Sequence, residues 1–221
     1  MDRGLREVVR MGADEGFAAA LRGLAASGRA RHAWGHAGSE VEQGLEVWLV
    51  KIAGYGRAVY VRAAAAAARW AHPTVLARAG EEAVAAGLGE EAPVPGGECE
   101  GVKLRRVEAW LAEPSTERRA AVQAVLDPSR RLTVWDLEIE AGGEFAWWWF
   151  FAAAELCAQA VVRDELAGDD DDAGAERWTA PCCAGRAVLA AFKAARSREV
   201  EEDVEVAALG RAIAAAFAAE A

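Results

Sequence analysis

Residues 144–163, EFAWWWFFAAAELCAQAVVR, limit what this chain can become more than any other stretch. Five consecutive aromatic residues, Trp147 to Phe151, run into alanines and aliphatics, a composition that favours helix. Successive helical side chains point about 100° apart, so Trp147, Trp148 and Trp149 project in three directions. Burying all three requires neighbours around most of the helix. Each large ring buries ~150–250 Å², which at about 25 cal/mol per Å² is several kcal/mol. Some 18 residues of helix span roughly 27 Å, close to the hydrocarbon thickness of a bilayer. Glu155 and Gln159 oppose insertion, because a charge near a membrane helix's centre costs about 2.5–3.5 kcal/mol on insertion scales. No Lys/Arg cluster flanks the segment either. The segment therefore predicts a helix enclosed by other helices.

The rest of the chain supplies candidates to enclose it. Residues 14–27 place Phe17, Leu21 and Leu24 on one face, with Gly28 as a stop. Ser39 with Glu42 forms a capping box for a helix whose stripe is Val41, Leu45, Trp48, Leu49 and Ile52. Gly54 and Gly56 predict a bend or break before a second helical run to Trp70. His72-Pro73 predicts the end of that run, since a residue before proline disfavours the helical region. A short helix is then expected from Thr74 to Ala86. GEEAPVPGGECEG, residues 89–101, reads as a linker. Helices are expected over 102–112 and 115–126, joined at Glu113-Pro114-Ser115, and over residues 179–197 and 199–219. In the last, Leu209, Ile213 and Phe217 share a face. LTVWDLEIE, residues 132–140, alternates like a strand, but a lone strand has no pairing partner and reads as an extended connector.

The expected fold is all-α: a compact bundle of seven to nine helices around the Trp-rich helix. A variant is built of helical-hairpin repeats, because Trp precedes Pro by three or four residues at Trp70/Pro73, Trp110/Pro114 and Trp178/Pro181, as if indoles sealed helix corners. The chain reads as one domain over 1–221, with a possible division into 1–88 and 102–221 about the linker.

With 35 Asp/Glu against 25 Lys/Arg the formal net charge is −10. Such a field repels nucleic-acid backbones and anionic membranes and attracts basic proteins. The N-terminal residues show no apolar targeting core, so a cytoplasmic location is expected. The four cysteines, Cys99, Cys157, Cys182 and Cys183, have no zinc spacing and read as free thiols, with Cys157 in the core.

Two motifs bear on chemistry. His32-x₃-His36-x₃-Glu40 would share one helix face and could hold a metal ion. Gly35 and Gly38 disfavour that helix, and Ser39 serves better as an N-cap, which leaves Glu40 to complement a helix dipole. The segment is read as a hinge, with no metal or cofactor expected. Asp169 to Asp172 are contiguous carboxylates between glycines, and they read as a solvated or partner-facing loop. Glu155 and Gln159, one turn apart, form a polar notch expected to pair with an arginine such as Arg186 or Arg211. Arg105-Arg106 and Arg118-Arg119 fall on facing helices, with Glu108, Glu113 and Glu117 near enough to neutralise them. No G-x-S-x-G or other nucleophile motif occurs, and no catalytic residue is assigned.

VEAWLAEPSTERRAAVQAVLD (107–127) with WWWFFAAAELCAQAVV (147–162) resembles small Ala-rich helical immunity proteins of bacterial polymorphic toxin systems. The likeness rests on helix-forming composition and an A-W-L-x-x-P-[ST] corner. It implies a protein that neutralises a cognate toxin by binding it, and it assigns no residue roles. Three functions are therefore expected in order. The first is an acidic helical binding module for a basic protein, through Asp136, Glu138, Glu140, Asp169, Asp170, Asp171, Asp172, Glu201, Glu202 and Asp203. The second is a structural component that self-associates through Ala-faced helices such as residues 63–68. The third is a small-molecule-binding or metal-dependent enzyme using the Trp147–Glu155 region or His32/His36.

Overall fold

The structure, a computed structural model, describes residues 52–85, 98–126, 146–163, 179–196 and 200–219. Six helices make up these residues: α1 Arg57–Ala85, α2 Glu98–Ala112, α3 Thr116–Gln123, α4 Ala146–Val162, α5 Ala180–Ala195 and α6 Glu202–Ala218. Among the described residues there is no strand. The all-α expectation therefore holds for these residues. The helices expected over residues 14–52 and the connector at 132–140 fall outside the described residues, save Ile52, which is buried.

Short-range chemistry sets most of the boundaries. Gly56 has φ +97°, a left-handed conformation that side chains resist, and it separates the turn at residues 54–56 from α1. Ser115 accepts a hydrogen bond from the Arg118 amide and starts α3 after the Pro114 corner. Thr179 does the same for α5, accepting from the Cys182 amide, with Pro181 in the first turn.

Two expected boundaries are corrected. The first is Pro73, which does not end a helix: α1 runs unbroken for 29 residues from Arg57 to Ala85. Proline's missing N–H and its ring disturb one turn of a helix, but Pro73 is exposed while Ala71 and Val75 on either side are fully buried. Packing on both sides of the proline carries the helix through. Trp70 accordingly lies within α1 and not at a corner. The second is the end of the 89–101 linker: residues 98–101 already belong to α2.

The core is built largely from alanine. α5 packs against α4 more extensively than any other pair, and α1 lies across both. Residues 152–154, 156–158, 160 and 161 of α4 are buried, as are Ala184, Gly185, Ala187 and Ala191 of α5 and Ala63, Ala64, Ala67, Ala68 and Ala71 of α1. Small side chains let helix axes approach closely. Larger residues fill the outer layers: Leu104, Val107 and Trp110 from α2, Val122 from α3, and Leu209, Ile213 and Phe217 from α6, the face the periodicity foretold. The alanines at 63–65, 67 and 68 are spent inside this core, so they are not a surface for another copy.

Arginines fasten the helix ends. Arg57 donates to the Val161 carbonyl at 2.6 Å and Arg119 to the Val162 carbonyl at 2.6 Å, both at the C-terminus of α4. Arg78 donates to the Arg196 carbonyl beyond α5 at 2.8 Å, and Arg118 to the Ala109 carbonyl in the last turn of α2 at 2.7 Å. Each guanidinium places positive charge at or just beyond a helix C-terminus, where the dipole favours it, and the Ala109 carbonyl accepts from the Glu113 amide as well.

Candidate functional site

The polar notch on α4 is the one place where ionisable groups converge in the described interior. Glu155 and Gln159 share a face one turn apart, and the Gln159 amide nitrogen donates to Glu155 Oε1 at 3.3 Å. The charge partner is Lys103 of α2, whose Nζ lies 2.9 Å from Glu155 Oε2. That contact is an ion pair and not an aligned hydrogen bond, because the approach misses hydrogen-bond geometry. Lys103 Nζ also sits 4.4 Å from the centroid of the Phe151 ring, one turn back on α4. On the other side the Cys183 thiol of α5 donates weakly to Gln159 Oε1 at 3.9 Å. The expected arginine partners, Arg186 and Arg211, are therefore corrected to a lysine. The signal was present in the sequence: Lys103, Val107 and Trp110 are spaced i, i+4, i+7 and place Lys103 on the buried stripe of α2.

This cluster is sealed. Glu155 is 2% exposed and Lys103 7%. Burial, with a lesser push from neighbouring Cys182, raises the Cys183 thiol to about 12. Burial likewise raises the Cys157 thiol well above its ordinary value. Such groups stay as neutral thiols at physiological pH and are poor nucleophiles. The arrangement fixes α2 and α5 on α4 and presents no open face to a substrate.

The aromatic run is enclosed in the same way. Trp147 and Trp149 are buried, and Lys193 Nζ lies 4.0 Å from the Trp149 ring centroid. Phe150 is fully buried and stacks on His72 with ring centroids 5.0 Å apart. His72 is thus occupied at the α1–α4 contact.

The remaining candidates divide by position. His32, His36, Glu40, Asp136, Glu138, Glu140 and Asp169 to Asp172 lie outside the described residues. Among the described residues no group of three or more His, Cys, Asp or Glu could hold a metal ion, and no helix is long and apolar enough to cross a membrane. Glu201 and Asp203 are exposed at the start of α6, and Glu202 begins that helix. The glutamates expected to neutralise the Arg105-Arg106 and Arg118-Arg119 patch divide: Glu113 takes a hydrogen bond from Arg118 within it, whereas Glu108 takes two from Arg69 outside it. Arg105 and Arg106 remain exposed.

Charge is unevenly divided along the chain. The described residues contain 14 Lys/Arg and 12 Asp/Glu, a net of +2, whereas the remaining residues contain 11 Lys/Arg and 23 Asp/Glu, a net of −12. No protein-family model, no curated protein and no solved structure matches the chain.

Proposed function

We propose that this chain is an acidic helical binding module that captures a basic protein in the cytoplasm, with neutralisation of a cognate toxin as the leading case. The observation that supports it is the division of charge. A helical body with a net of +2 is packed on alanine and sealed around its one internal ion pair, and a net of −12 belongs to the other segments. On this reading the body is a scaffold. Asp136, Glu138, Glu140 and Asp169 to Asp172, together with the exposed acids that open α6, meet the partner. Concentrated negative charge speeds the capture of a basic surface and selects against acidic competitors. The whole chain is taken as seven to nine helices around Trp-rich α4.

Co-purification from the source cells tests the proposal. A stoichiometric protein of high isoelectric point, released by salt, is the expected result. Recovery of chaperones alone would count against it. If the partner is a toxin, co-expression must also restore growth to cells that make it.

A further inference from the structure

Helices α2 and α3 form a hairpin that is braced within itself and tied to the other described helices largely through charges. Arg118 spans the corner, donating to the Ala109 carbonyl and to Glu113, and Ser115 caps α3. Among the described residues, no backbone hydrogen bond joins the hairpin to another helix. Its polar tethers there are Lys103 to Glu155 of α4, Glu108 to Arg69 of α1, and Arg119 to the Val162 carbonyl. The buried apolar side chains Leu104, Val107, Trp110 and Val122 complete the contact. By contrast, α1, α4 and α5 interlock on alanines along their lengths.

We propose that this hairpin is a clip that lifts from α4 as one unit while α1, α4 and α5 stay packed. The closed clip holds Lys103 and Glu155 out of water, and lost hydration offsets much of their attraction. Lifting returns both ions to water, so their contact adds little resistance to opening. The Arg69–Glu108 bridge is half-exposed, which limits its strength. The resistance that remains comes from a short apolar face, and a unit held in that way opens at a lower cost than global unfolding. The Arg118 contacts and the Ser115 cap lie wholly inside the hairpin, so they survive the opening and keep α2 and α3 together. Once lifted, the hairpin uncovers Phe151 and Glu155, the ring and the carboxylate that hold the Lys103 ammonium in the closed state. The clip does not depend on what the acidic segments bind.

Hydrogen exchange of the full chain in rising urea, below its unfolding transition, reads the opening amide by amide. The amides of α2 and α3 are expected to share one opening equilibrium, populated about tenfold or more above global unfolding and with a smaller urea dependence. The slowest amides of α4 and α5 should exchange only through global unfolding. Lys103 adds a side-chain probe, because its buried amine meets an N-hydroxysuccinimide ester only when the hairpin lifts, and Lys193 of α5 serves as the reference for the reagent. Glu108→Gln and Arg69→Gln each remove one end of the half-exposed bridge. Each should speed acylation of Lys103 relative to Lys193 by about threefold, and the double variant should go no further than either alone. Hairpin exchange and Lys103 acylation no faster than global unfolding allows would overturn the proposal. So would α2 and α3 opening with different urea dependences, or a Lys103 rate indifferent to both bridge variants.

Discussion

Lys103 and Glu155 are held out of water, and among the described residues Phe151, Gln159 and each other replace it. Desolvating two ions offsets much of their attraction, so the pair adds little net stability, yet removing one member strands the other. Lys103→Met alone should therefore lower unfolding stability by about 3–5 kcal/mol in urea titration, and Lys103→Met with Glu155→Leu should recover most of that loss. Equal losses in the single and double variants would show the pair is not coupled. The thiols give a pH dependence whose sign is fixed. Cys183 has an ordinary value of 9.0 and is raised to about 12 by burial, so between those values only the unfolded chain releases its proton. Stability from this group is complete below about pH 9 and falls as pH rises, by up to about 1.4 kcal/mol per unit. Cys157 adds in the same direction. Unfolding midpoints measured across the alkaline range should fall steadily, and Cys183→Ala should shallow the slope.

Among the elements, the helices marked by local chemistry are legible in the sequence. The corner at Glu113-Pro114-Ser115, the start of a helix at Thr179 and the α6 face of Leu209, Ile213 and Phe217 all follow from residues within a few positions of one another. Ser115→Ala and Thr179→Ala should each lower stability by about 1 kcal/mol in thermal unfolding, since each strips a cap from an amide. Pro73 was misread because the local rule against helix before proline was outweighed by burial of Ala71 and Val75, which depends on α4, α5 and α6 arriving from elsewhere in the chain. Its exposed ring still interrupts the hydrogen-bond ladder, so Pro73→Ala should stabilise the protein by about 2 kcal/mol in the same measurement. The partner of Glu155 was missed for a similar reason. Composition favoured arginine, whereas the spacing of Lys103 on the Val107–Trp110 stripe pointed to the one lysine that a neighbouring helix could bury.

At the scale of the whole molecule, net charge read from the sequence described the chain but not its distribution. The packed helices are nearly balanced, with arginines spent on carbonyls at helix ends, and the excess acid belongs to the other segments. Periodicity and capping made the helical class readable, whereas a surface's partner depends on which charges the fold consumes internally. On the proposed reading the acidic segments capture a basic protein by long-range attraction. The direct measurement is the association rate with the co-purified partner as a function of ionic strength, for the wild type and for a variant with Asp169 to Asp172 changed to asparagine. The rate is expected to fall about tenfold or more from low to high salt, with a slower rate and a shallower dependence in the variant. A rate that ignores salt, or a variant that matches the wild type at every ionic strength, would contradict it.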